Sequence, residues 1–119
     1  PPPMPVARWQ DLGCKSVGFL VDKDTIPVDS PDRFTSLRLR SQGFDIEVIQ
    51  MSVRFGNGAT DTYDIRSVIP SGTSTRPIDL RGDARSIDAI QLLYRTRGVV
   101  IGAKTKLCVE GRTERPAEE

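Results

Sequence analysis

Short apolar blocks, each ended by glycine, proline or aspartate, constrain the fold of this chain more than any other feature of its sequence. Residues 34–40 alternate, with Leu37 and Leu39 on one side of an extended backbone and serine or arginine on the other. No segment keeps the apolar period of an amphipathic helix. With turn residues at intervals of roughly 8 to 12, the sequence predicts an all-β fold, an antiparallel two-sheet β-sandwich (jelly-roll-like) of about eight short strands.

A length of 119 residues predicts one domain. We expect an extended proline-rich leader at 1–7, the β-sandwich domain at 8–112 and a mobile polar tail at 113–119. The predicted strands are 9–17, 19–21, 25–28, 34–40, 45–55, 60–68, 75–80, 87–95 and 103–110.

Two of these strands change the side on which their apolar residues lie. In the strand that ends at Phe55 the change falls between Val48 and Ile49, and in the strand that begins at Ile87 it falls before Ile90. One inserted residue reverses the alternation, so we predict a bulge near Val48-Ile49 and a bulge or bent entry in the later strand.

Turn chemistry places the connections. The Gly-Asn-Gly sequence at 56–58 accepts positive φ angles and predicts a hairpin. Aspartates at 22–24 and 29–32 form hydrogen bonds with their own backbone in turns, so both segments are predicted loops. Pro77 cannot donate a hydrogen bond to a neighbouring strand, so its strand is expected at an edge or an irregular point.

Charge and hydropathy exclude two classes of partner. The 17 lysines and arginines balance 16 aspartates and glutamates, so the net charge of +1 predicts no nucleic-acid partner. No run approaches the roughly 20 apolar residues of a transmembrane helix, so no membrane span is expected.

The chain contains no histidine, the commonest general base and metal ligand. A catalytic triad or zinc site is therefore not expected, and we predict a protein that is not an enzyme and needs no cofactor. Carboxylate-only hydrolysis stays open as an alternative. Its candidate residues are Asp45, Glu47, Asp61, Asp64 and Asp79.

Two acidic motifs have competing explanations. Asp22, Asp24, Asp29 and Asp32 are oxygen ligands of the kind that calcium takes, but their spacing matches no EF-hand, and turn formation explains them better. The tripeptide Arg81-Gly82-Asp83 resembles an integrin-binding sequence, and a tight turn between strands is again the better explanation.

Arginines on paired strands are the candidate ligand-binding residues. Outward guanidinium groups could form an anion-binding face for carboxylate or phosphate, or could only form charge pairs with neighbouring carboxylates. The candidate set is Arg38, Arg40, Arg54, Arg66 and Arg76. Sugar binding would use exposed aromatic rings, for which Trp9, Tyr63 and Tyr94 are the candidates.

The order of landmarks in the chain resembles the YaaI-like family of small exported bacterial proteins of unknown function. The matching segments are Leu12-Gly13, Leu37-Arg38-Leu39, Val53-Arg54-Phe55, 69–72, Ile78-Asp79-Leu80 and 103–111. The chain departs from the family at Cys14 and at the 56–58 turn. The resemblance implies a periplasmic or secreted protein and supplies no catalytic residue.

Together these features predict a non-enzymatic exported β-sandwich, an envelope-associated or interaction module with an unknown protein or glycan partner. The alternatives are a carbohydrate or anionic-ligand binding module and a small carboxylate-based hydrolase.

Cys14 and Cys108 are candidates for one disulfide, because terminal strands are often neighbours and an exported chain meets an oxidising compartment. Alternation opposes the bond, since Cys14 shares a side with inward Leu12 while Cys108 should point outward. Either a bulge reverses one of the two, or both thiols are unpaired.

Overall fold

Eight strands and no helix form the described part of the chain, residues 9–16, 21–82, 84–96 and 105–113 of a computed structural model. The strands are β1 (Trp9–Ser16), β2 (Val21–Pro27), β3 (Arg33–Gln42), β4 (Ile46–Phe55), β5 (Thr60–Ile69), β6 (Ile78–Asp79), β7 (Arg85–Thr96) and β8 (Lys106–Thr113). Neighbouring strands pair antiparallel. The predicted all-β fold is confirmed.

Several sequence predictions lie outside the described residues. They are the leader at 1–7, the strand residues 17 and 19–20, Asp83 of the Arg-Gly-Asp sequence, the start of the last strand at 103–104 and the tail beyond Thr113. Thr113 itself belongs to β8.

The strands form two groups that β7 connects. One group is β1-β8-β3, with β6 on the far edge of β3, and the other is β2-β7-β4-β5. At its first residues β7 also pairs with β3, where Arg33 is opposite Ser86 and Phe34 is opposite Arg85. The result is one open eight-stranded sheet, so the all-β part of the prediction holds while the predicted two-sheet sandwich is not clearly formed.

Apolar side chains from both groups meet in a single hydrophobic cluster. The strands β3 and β8 contribute Phe34, Leu37, Leu39, Leu107 and Val109, and β4 and β7 contribute Ile46, Val48, Met51, Val53, Phe55, Ile87, Ile90, Leu92 and Tyr94. Because burial of apolar surface is the main favourable term in folding, this shared cluster holds the two groups against each other.

Both predicted bulges are present. In β4 the pairing with β7 skips Ile49, so apolar residues on both sides of it reach the core. In β7 the partners of Arg54 and Phe55 are Ala89 and Ile87, which leaves Asp88 as the inserted residue. The predicted hairpin is confirmed by a 2.8 Å hydrogen bond from Phe55 N to Ala59 O.

The predicted loop at 22–24 is wrong. These residues lie within β2, opposite Leu92, Leu93 and Tyr94 of β7. Tyr94 donates its hydroxyl hydrogen bond to the Asp24 carboxylate, which gives an acidic strand residue a buried partner. Tertiary pairing therefore overrides the turn preference of aspartate.

The strand predicted at 75–80 is short. Only Ile78 and Asp79 pair with β3, immediately after Pro77, which agrees with the expected edge position. Before these residues the chain runs alongside β3, where Thr75 N donates a 2.8 Å hydrogen bond to Leu39 O.

Candidate functional site

The outward side of β1, β8 and β3 carries several charged contacts between strands. Leu107 and Val109 point into the core, so the alternate residues of β8 point outward. We call this surface the outer arginine face; it comprises Trp9, Asp11, Arg38, Arg40, Lys106, Glu110 and Arg112. Trp9 is opposite Arg112, and Arg38 is opposite Glu110.

Glu110 is the anionic centre of this face. Its side chain is only 12% exposed, and its Oε1 accepts a hydrogen bond from Arg38 Nε. Its other oxygen, Oε2, lies 3.9 Å from Arg40 Nη2. The carboxylate is thus closely paired with Arg38 and only distantly paired with Arg40.

Trp9 packs against guanidinium groups rather than presenting a free ring. Arg38 lies 4.2 Å from the ring centroid and Arg112 lies 5.6 Å from it. Such cation–π contacts fix the orientation of the arginines on the strand surface.

Arg112 is held from the other side. Its Nη2 donates a 2.9 Å hydrogen bond to Ser36 Oγ, and Ser36 Oγ donates a 2.7 Å hydrogen bond to Asp79 Oδ1. Asp79 Oδ1 also lies 3.8 Å from Arg112. Arg112 therefore has its charge compensated within the fold.

Arg40 and Lys106 are left with little compensation. The Nε atom of Arg40 is buried and has no hydrogen-bond partner. Lys106 is exposed and forms no ion pair with any residue that the structure describes. They are diagonal neighbours, because Arg40 is opposite Cys108 and Gln42 is opposite Lys106. We call this pair the Arg40–Lys106 corner.

The five arginines predicted as an anion-binding face do not lie together. Arg38 and Arg40 are neighbours on β3, whereas Arg54 lies on β4, 3.9 Å from Asp88, and Arg66 lies on β5, 3.4 Å from Asp64. Arg76 precedes β6 and lines a separate groove. Sequence patterns do not show which strands pair, so the prediction could not assign these arginines to two different groups of strands.

Lys106 and Arg112 were not among the predicted site residues. The signal was present, because alternation through β8 places both on the side of Glu110. Their relation to Arg38 and Arg40 depended on which strand pairs with β8.

A second surface, the β5–β6 groove, runs between β5 and the segment 70–78. It has a volume of about 880 Å³. Apolar, aromatic, cationic and other polar residues line it, among them Tyr63, Ile65, Val68, Arg76, Ile78 and Arg81. The carboxylate of Asp64 also belongs to the lining and pairs with Arg66. This volume is in the range of small-molecule sites.

The candidate carboxylates lie in different places with different partners. Asp45 accepts a 2.9 Å hydrogen bond from Ser71 N, and Glu47 accepts one of 3.1 Å from Arg95. Asp61 lies 3.8 Å from Arg81. No group of three or more His, Cys, Asp or Glu residues suited to a metal ion occurs within residues 9–16, 21–82, 84–96 and 105–113.

Cys14 and Cys108 are brought together across β1 and β8. Their sulfur atoms lie 2.04 Å apart, which is bonding distance. Cys14 is exposed and Cys108 is buried.

Comparison with known proteins gives one family. Residues 5–109 match the model of a domain of unknown function, DUF2541. Neither a curated protein nor a solved structure matches the chain. Among the described residues no helix is long and apolar enough to cross a membrane.

Proposed function

We propose that this chain, which belongs to the DUF2541 family of domains of unknown function, is a non-enzymatic binding module that acts outside the cytoplasm. Its binding surface is the outer arginine face, and its partner is an acidic segment of another protein. The resemblance to the YaaI-like family of exported proteins supports this proposed location.

One observation carries this proposal, the weakly compensated Arg40–Lys106 corner. Arg40 Nε is buried without a hydrogen-bond partner, and the nearest carboxylate oxygen of Glu110 lies 3.9 Å from Arg40 Nη2. The Arg40 side chain is 35% exposed, so its terminal guanidinium nitrogens can donate to a ligand carboxylate, a charge-assisted hydrogen bond of roughly 1.5–3 kcal/mol. Lys106 adds a second positive charge beside it.

The rest of the face supports protein binding rather than a small-ion site. Trp9, Arg38 and Arg112 hold one another through ring and ion-pair contacts, so a partner meets an ordered surface. Tryptophan and arginine are enriched among the residues that dominate binding energy at protein interfaces.

The cysteine pair supports a location outside the cytoplasm. Disulfides persist in oxidising compartments and are rare in the cytosol, and the two sulfur atoms lie at bonding distance.

Carbohydrate binding is the weaker alternative, because the candidate aromatic platforms are used within the fold. Arg38 lies over Trp9, Arg81 lies 4.6 Å from the Tyr63 ring centroid, and Tyr94 is buried. Hydrolysis is weaker still, since Asp61, Asp64 and Asp79 each have an arginine partner.

Calorimetric titration with hexaglutamate, and with hexalysine as the opposite charge, tests the proposal. We expect hexaglutamate to bind and its affinity to fall with added salt. The double variant Arg40→Ala/Lys106→Ala should bind about tenfold more weakly, a change of ~1.4 kcal/mol. Arg54→Ala, an exposed arginine of β4, is the matched control and should bind as the unmodified protein does.

Two results contradict the proposal: equal binding of hexalysine, or unchanged hexaglutamate binding in the double variant. Thermal unfolding of each variant establishes that the loss of binding is not loss of the fold.

A further inference from the structure

The β5–β6 groove is a second candidate site, independent of the outer arginine face. One side is β5, which within the described residues pairs with β4 alone, and the other is the segment before and within β6, which runs alongside β3. The groove therefore opens along an edge of the sheet, where no further strand of the described residues pairs with β5 or β6.

The groove combines apolar and cationic side chains. Tyr63, Ile65 and Ile78 pack against the hydrophobic cluster. Among the described residues, Val68 is the large apolar side chain that is exposed, at 43%. An apolar ligand body placed here would remove this surface from water.

Arg76 supplies a cation without an internal partner. It is exposed, lines the groove and forms no ion pair with the described residues. Arg81, the other cation, already lies over Tyr63 and 3.8 Å from Asp61. Arg76 is thus the group in the groove that is available to pair with an anion.

The shape of β5 argues against an added peptide strand. Between Asp64 and Ser67 the pairing with β4 shifts by one residue, and Arg66 has a φ of 47°. A bulge at an edge bends the strand and interrupts its hydrogen-bonding groups, a feature that protects edges from pairing. The groove is better suited to a small molecule than to an extended peptide.

We infer that the β5–β6 groove binds an amphiphilic organic anion, with its apolar body against Ile65, Val68 and Ile78 and its anionic head at Arg76. The ligand class is set by the apolar lining and the one uncompensated guanidinium.

Titration followed by amide NMR tests this inference with dodecanoate below its micelle concentration. Dodecanol and dodecyltrimethylammonium are the neutral and cationic probes, and hexanoate is the short one. We expect saturable binding of one dodecanoate, with shifts confined to residues 63–68 and 74–81. Arg76→Ala should weaken it about tenfold, and hexanoate should bind at least tenfold more weakly than dodecanoate.

Arg54→Ala is again the matched control, with unchanged dodecanoate binding expected. No saturable dodecanoate binding, equal binding of the cationic probe, or an unchanged affinity in Arg76→Ala overturns the inference. These outcomes are separate from the hexaglutamate test, because Arg76 lies outside the outer arginine face.

Discussion

Cys14 lies directly opposite Cys108 across the β1–β8 pair because one residue of β1, Leu12, is inserted without a partner. Asp11 pairs with Glu110 and Gly13 pairs with Val109, so the side chains change sides at this point. Leu12 can then point into the core while Cys14 points outward. Gly13 accommodates the bulge with a φ of 144°, where an added Cβ would lie 2.7 Å from Ile26 Cγ2.

The first prediction concerns this disulfide. It would close a loop between residues that are 94 positions apart in the sequence. In the chain-entropy model such a bond stabilises the folded state by about 4–5 kcal/mol. We expect the double variant Cys14→Ser/Cys108→Ser to lose a free energy of unfolding of this order in denaturant titration. The unmodified protein under reducing conditions is the control and should lose a similar amount.

Thiol titration of the denatured, unreduced protein provides the direct measurement. Two reactive thiols per chain would mean that the bond is absent and would weaken the proposal of an extracytoplasmic location.

The second prediction concerns Gly111, which is buried in β8. A Cβ at this position would lie 2.7 Å from Phe34 Cδ1 and 3.0 Å from Leu12 Cδ1. Gly111→Ala should therefore lower the free energy of unfolding by roughly 1–3 kcal/mol through overpacking. In a double-mutant cycle, Phe34→Leu should recover at least ~0.5 kcal/mol of that loss. Strict additivity of the two substitutions would rule out the contact as the cause.

The third prediction concerns Arg66, whose φ of 47° lies in the left-handed region. That conformation costs a residue with a side chain about 1–2 kcal/mol, which exceeds the roughly 0.5–1 kcal/mol entropic cost of glycine. Arg66→Gly should leave stability unchanged or raise it by up to ~1 kcal/mol. Arg54→Gly, at an exposed position of β4, should lower it by about 0.5–1 kcal/mol. Equal losses in the two variants would contradict the argument.

The fourth prediction concerns Glu110, the carboxylate that Arg38 and Arg40 share. Glu110→Gln keeps the shape of the side chain and removes its charge, so two neighbouring guanidinium groups lose their counter-ion. We expect a loss of roughly 1–3 kcal/mol in denaturant titration, because the side chain is mostly buried.

Asp64→Asn is the matched control for Glu110→Gln. Its pair with Arg66 is 63% and 74% exposed, so the expected change is below about 0.5 kcal/mol. Similar effects of the two substitutions would show that burial does not distinguish the two ion pairs.

Local sequence patterns were sufficient for several features of this fold. Alternation placed Leu37 and Leu39 in the core, and its interruption near Val48 located the β4 bulge. Glycine and asparagine located the hairpin after Phe55. These features depend on residues close in the chain, so a short window of sequence contains their cause.

Strand neighbours were not accessible from the sequence, because every strand could pair with several others. The pairing of β3 with β8 brings Arg38 and Arg40 to Glu110 and Lys106, and it leaves Arg54 and Arg66 in the other group of strands. The same non-local pairing turned the acidic segment 22–24 into a strand, although its composition favours a turn.

The sequence by itself determined that this protein is built of short antiparallel strands, because apolar periodicity and turn residues are local properties. Only the tertiary structure decided which residues form a surface. The outer arginine face, the β5–β6 groove and the Cys14–Cys108 contact each join residues far apart in the chain. Their positions depend on strand order and on inserted residues that shift the pairing. Both are determined by the free energy of packing the whole core.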